Sequence, residues 1–110
     1  MIQETLSRIE AAIARVQAAE GKEKAELVAL LKKLKDELSA LPESRLDDAR
    51  SIAHFTETAA HEVTRANKSV ERSNLSISGI AYSVKGFEVS HPVLVEITNE
   101  ICMMLVRMGI

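Results

Sequence analysis

Three side chains have the types and spacing of a metal-donor set: His54, Glu57 and His61. Separations of three and then four residues put them on one face of a helix, so two imidazoles and a carboxylate could converge on a divalent ion. Their surroundings argue for a plainer role. One helix supplies all three donors, whereas carboxylate-bridged metal bundles draw ligands from several inward-facing helices. Arg65 and Lys68 continue the same stripe, and positive charge beside such a site repels a cation. His61-Glu62-Val63-Thr64-Arg65 begins like the zinc-protease helix motif, but Arg65 stands where the second histidine would be. A solvated polar face is the expectation, and no cofactor is expected. A small-ligand or metal-binding bundle on His54, Glu57 and His61 is the alternative.

The other chemistry-bearing residues give weaker signals. Arg65, Lys68 and Arg72 form a basic strip that could meet a phosphate or an acidic partner, but Glu62 and Glu71 flank it. The chain carries 14 basic and 16 acidic residues, for a net charge of -2. That balance argues against nucleic acid as a partner. Aromatic residues are 3% of the chain (Phe55, Tyr82 and Phe87), too few for a base-stacking platform. Cys102 is the one cysteine, which excludes an intrachain disulfide, and its apolar neighbours suggest a buried small hydrophobe. The four glycines are too far apart for a phosphate loop, and neither a nucleophile elbow nor a paired-cysteine motif occurs. No catalytic residue is nominated, and the expectation is a protein that is not an enzyme.

The elements that hold these residues read as helices. A chain of 110 residues, 46% hydrophobic, fits a single domain over 1–110. Ile2, Leu6, Ile9, Ile13 and Val16 form one amphipathic stripe. A second stripe runs through Leu27, Leu30/Leu31, Leu34, Leu38 and Leu41, until Pro42 stops it. Residues 2–41 therefore predict a helical hairpin with Gly21 at the turn; one long helix with a stutter there is the alternative. Ser44 is placed to cap a long central helix over 44–86, with the small residues Ala49, Ala53, Ala59, Ala60 and Ala66 on its apolar side. Within it, 73–86 alternates apolar and polar residues around Gly79. That pattern suits two short strands, but the helical stripe through Val70, Ile77, Ile80 and Val84 is favoured, since an isolated hairpin is only marginally stable. Ser90-His91-Pro92 opens a last helix over 91–108, with Ser90 or His91 as cap and Pro92 in the first turn.

That last helix is apolar on more than one face, and a small chain has few elements to cover two faces. A homo-oligomer, with a dimer favoured, or a different protein partner is therefore expected. Its surface is assigned to Leu27, Leu31, Leu34 and Leu38 on one helix and to Leu94, Ile97, Ile101, Met104, Leu105 and Met108 on the other. Met103, Met104 and Met108 would make it adaptable. The fold class is all-α: an oligomeric helical bundle or coiled-coil dimer. The longest apolar run, 101–106, is too short to span a bilayer, and Glu96, Glu100 and Arg107 flank it, so no membrane is expected as partner. Glu4, Arg8, Glu10, Arg15 and Glu20 leave no apolar signal segment at the start, and a cytoplasmic location is expected.

The segment Phe87-Glu88-Val89-Ser90-His91-Pro92-x-Leu94, with Met108-Gly109-Ile110 at the end, resembles an uncharacterised bacterial family, domain of unknown function 4404. The resemblance is most specific over 87–110. It is looser over 1–41, where members also show a helix, a turn and a leucine-rich helix. It implies a small bacterial helical protein ending naturally at Ile110, and it transfers no catalytic residue.

Overall fold

The stripes become buried seams between five helices. The computed structural model describes residues 2–19, 21–65, 67 and 69–109. Ala66 and Lys68, read above as part of the central helix, lie outside the described residues, as do Glu20 and Ile110. The helices are α1 (Ile2–Ala18), α2 (Lys24–Ser39), α3 (Leu46–Val63), α4 (Val70–Ser83) and α5 (Pro92–Gly109). Short 3-10 turns, Glu43–Arg45 and Lys85–Phe87, precede α3 and follow α4. Among the described residues there is no strand, so 73–83 is helix.

Neighbouring helices form a closed circuit, α1–α2–α5–α4–α3 and back to α1, with α3 also reaching α5. Between α1 and α2 the chain turns at Gly21, whose φ of +136° costs a side-chain-bearing residue dearly. α3 can touch three other helices because its inner face is mostly small: Ala49, Ala53, Ala59 and Ala60 are all buried beside Ile52 and Val63. Leu27, Leu31, Leu34 and Leu38 of α2 and Leu94, Ile101 and Leu105 of α5 fill the centre.

The long central helix over 44–86 is corrected to two helices. A continuous helix of that length would extend about 65 Å at 1.5 Å per residue, yet the molecule's longest dimension is 38 Å. The break falls where the sequence offers a new start. Ser69 is extended (φ -116°, ψ 113°), and its hydroxyl accepts the backbone N–H of Arg72 at 3.3 Å, an N-cap for α4. Ser44 is not a cap: it sits inside a 3-10 turn, and Arg45 occupies the N-cap position of α3, its Nε donating to Asp48 Oδ2 at 2.9 Å. α4 ends before Gly86, with Val84 as its C-cap residue.

Gly79 sets how closely α4 lies on α3. A Cβ built there would fall 2.4 Å from Cδ1 and 2.6 Å from Cγ of Phe55. The clash reaches the root of the ring, so the whole side chain would have to move. Gly79→Ala is expected to lower stability by about 1–3 kcal/mol through overpacking, against a helix-propensity gain of about 1 kcal/mol. A fall in the urea midpoint at unchanged slope checks this. Adding Phe55→Ala should make the double variant non-additive, because the clash is then gone.

Candidate functional site

His54 and Glu57 lie on the outer side of α3, facing α1. Arg8 of α1 comes between them: its Nη1 donates to Glu57 Oε1 at 3.1 Å and lies 3.5 Å from His54 Nδ1. A guanidinium thus stands where a cation would have to bind. His61 is exposed one turn further on. Among the described residues, no three histidine, cysteine, aspartate or glutamate side chains are arranged to hold a metal ion. The arrangement is a partly exposed ion pair joining α1 to α3 beside an open depression lined by Gln3, Glu4 and Ser7. Such pairs contribute about 0–1 kcal/mol.

The basic strip is reorganised by a carboxylate that sequence reasoning placed at the surface. Glu62 is buried. Arg65 Nη1 donates to its two oxygens at 3.0 and 3.2 Å, and Arg72 Nε approaches Oε2 at 3.6 Å from α4. One carboxylate is therefore shared by two guanidiniums and ties α3 to α4. Glu62 is three residues on from Ala59, which is buried, and that spacing was the available signal.

The segment 85–92 forms a lock at the end of the bundle. Phe87 is fully buried, with the Arg45 guanidinium carbon 3.8 Å above its ring centroid and the His91 ring edge-on at 5.4 Å. The His91 N–H donates to the Phe87 carbonyl at 2.8 Å. The His91 carbonyl accepts the Val95 N–H at 3.3 Å, the first bond of α5, so His91 holds the N-cap place and Pro92 the first helical position. The Ser90 hydroxyl bonds the His91 imidazole (2.9 Å) rather than the start of α5. His91 is thus a backbone pivot with its ring against Phe87.

The interaction surface read from the sequence lies inside the chain. Leu27, Leu31, Leu34, Leu38, Leu94, Ile97, Ile101, Met104 and Leu105 are all buried, and Met108 is half-buried against the same core. The correction has a simple cause. α5 is flanked by α2 and α4 with α3 between them, so one chain supplies the cover that a second copy was invoked to provide. The large apolar side chains that remain exposed are different ones: Val70, Leu75 and Tyr82 on α4, Val89 in the connection, and Val93, Met103 and Val106 on α5. Neither Leu75 nor Tyr82 lies on the helical stripe through Ile77, Ile80 and Val84. Seven residues apart, they share an α4 face away from buried Ile80.

Cys102, Met103, Val106 and Arg107 line a shallow, mainly apolar hollow of about 340 Å³ on α5. Cys102 is half-buried there, its thiol 3.9 Å from the Ile77 carbonyl of α4. Burial pushes the thiol pKa up to about 11, so at neutral pH it is protonated and a poor nucleophile.

These features define a small five-helix domain, joined by charged clamps at its edges, with its exposed large apolar side chains on α4, α5 and their connection among the described residues. The chain belongs to the family described as domain of unknown function (DUF4404), whose model matches residues 2–110. No curated protein and no solved structure matches it. Among the described residues, no helix is long and apolar enough to cross a membrane.

Proposed function

We propose that this chain is a non-enzymatic self-association and protein-interaction module whose working surface is the exposed apolar side of α4 and α5. One observation supports the reading: every large hydrophobic side chain that is exposed among the described residues lies on α4, α5 or their connection. The outer faces of α1, α2 and α3 carry polar and charged residues and small alanines instead. Scattered single exposures are normal on a soluble domain, but concentration on one half of the chain marks a contact surface. Leu75 and Tyr82, 72% and 74% exposed, and Met103, 59% exposed, are the anchors of that surface. Two apolar patches of one chain that meet across a two-fold axis would make a dimer, the favoured assembly.

Light scattering behind size exclusion, at two protein concentrations, tests this. The expected result is a mass above the 12.1 kDa of one chain. Leu75→Asp with Met103→Asp should weaken association by about tenfold or more, as loss of a central anchor does. A monomer at both concentrations, or a mass indifferent to the double substitution, would overturn the proposal. Both positions are exposed, so the helical signal should be unchanged.

A further inference from the structure

The groove between α2 and α5 has a different character from the apolar side of α4 and α5. Its volume is about 450 Å³. Leu30, Val93 and Ile97 form the floor, and Val93 is 53% exposed. The α2 rim carries Lys33, Asp36 and Glu37, and the α5 rim carries Glu96 and Glu100. None of these four carboxylates has an ion-pair partner among the described residues. The groove is thus a trough with a narrow apolar floor, open chiefly at Val93, between two rims that carry the carboxylates as rails, with Lys33 as the one opposing charge among the lining residues.

The carboxylates do not group as ligands for a point ion. They are strung along the helices instead. Leu30 to Glu37 and Val93 to Glu100 each span about 10 Å at the helical rise. An occupant that fits has apolar side chains for the floor and several spaced cations for the rails. A phosphate-bearing surface, whether nucleic acid or anionic lipid, meets like charge there. We infer that the α2–α5 groove docks a basic amphipathic protein segment of about two helical turns, with lysine or arginine flanking an aliphatic anchor. Charge complementarity selects this occupant: carboxylates along both rails attract a chain that carries positive charge on both sides of its apolar stripe. The inference rests on the reading of the chain as an interaction module, but it concerns another surface.

The test uses a fluorescent helical probe with leucines at positions i, i+3, i+4 and i+7 and lysines on both sides of that stripe, and a matched probe with glutamate for lysine. Anisotropy titration of the full chain should give saturable binding of the lysine probe and none of the glutamate probe. Raising salt from about 0.05 M to about 0.5 M should weaken it severalfold as the rails are screened. Glu96→Lys with Glu100→Lys, and separately Asp36→Lys with Glu37→Lys, should each weaken binding by about tenfold or more. Glu4→Lys with Glu71→Lys, on α1 and α4, alters the net charge equally at residues that do not line the groove, and should leave binding within about twofold of the wild type. No saturable binding of the lysine probe, equal binding of both probes, or a control pair as damaging as the groove pairs would overturn the inference. So would groove pairs that lower the mass in light scattering and leave probe binding intact, since the occupant would then be a second copy. The probe comparison and the salt series need no variant, so they decide the matter even if one pair fails to fold. Leu75→Asp with Met103→Asp should leave the probe isotherm unchanged, which separates failure here from failure of the self-association reading.

Discussion

Leu34→Asp and Leu105→Asp are expected to unfold the protein. Leu34 is 0% exposed and Leu105 1%. Each substitution removes a core side chain and puts a carboxylate where the structure offers it no partner. Deleting a buried leucine alone costs about 2–5 kcal/mol, and burying an unpaired charge adds several more. A domain of this size is stable by about 5–15 kcal/mol. The chain should lose its cooperative thermal transition, seen by far-ultraviolet circular dichroism, whatever its assembly state. A variant that keeps the helical signal and merely changes mass would show that these leucines serve an interface between copies.

Phe87→Ala is the second large effect. The ring is fully buried, and truncation leaves a cavity at the end of the bundle, so the expected loss is about 3–5 kcal/mol. Arg45→Ala removes the cation above the ring, a bond to the Gly86 carbonyl at 3.4 Å and the ion pair with Asp48 at 2.9 Å. Together these should cost about 0.5–2 kcal/mol at a partly exposed site. Urea denaturation of the two variants measures both. If Arg45→Ala proves as damaging as Phe87→Ala, the lock is held by the guanidinium rather than by ring burial.

Much of this architecture is written in local patterns. Ile9, Ile13 and Val16, then Leu27, Leu31, Leu34 and Leu38, repeat at helical spacing, and the structure buries all of them. Pro42 and Pro92 mark boundaries because the ring restricts the backbone around it. The helical hairpin and the apolar last helix were legible for those reasons. The break between α3 and α4 was not. Val63 and Val70 are seven apart and read as one continuous stripe, yet Val63 is buried and Val70 is 57% exposed. Only tertiary packing decides that α4 must fold back along α3.

The candidate sites divide in the same way. That His54 and Glu57 share a face follows from spacing alone. That Arg8 stands between them follows from the α1–α3 pairing, a contact 46 and 49 residues distant in sequence. The assignment of the leucine stripe to an interface failed for a related reason. Composition shows that an apolar face needs cover, but not whether the cover comes from the same chain.

The hydroxyl groups of the helices carry one more consequence. Thr56 donates to the Ile52 carbonyl at 2.7 Å, Thr98 to Leu94 and Val95 at 3.1 and 2.9 Å, and Ser83 to Gly79 at 2.7 Å. Each bonds back into its own helix and asks nothing of its neighbour. Away from the charged pairs at the rim and the long Cys102 thiol contact to Ile77, the contact between one helix and the next is therefore written in shape. Sliding one helix along another would break no such bond; it is opposed by Phe55 wedged on Gly79 and by the charged tethers at the rim. Helix-to-helix register is thus keyed by side-chain shape in the interior, while every helix keeps its own hydroxyl bonds.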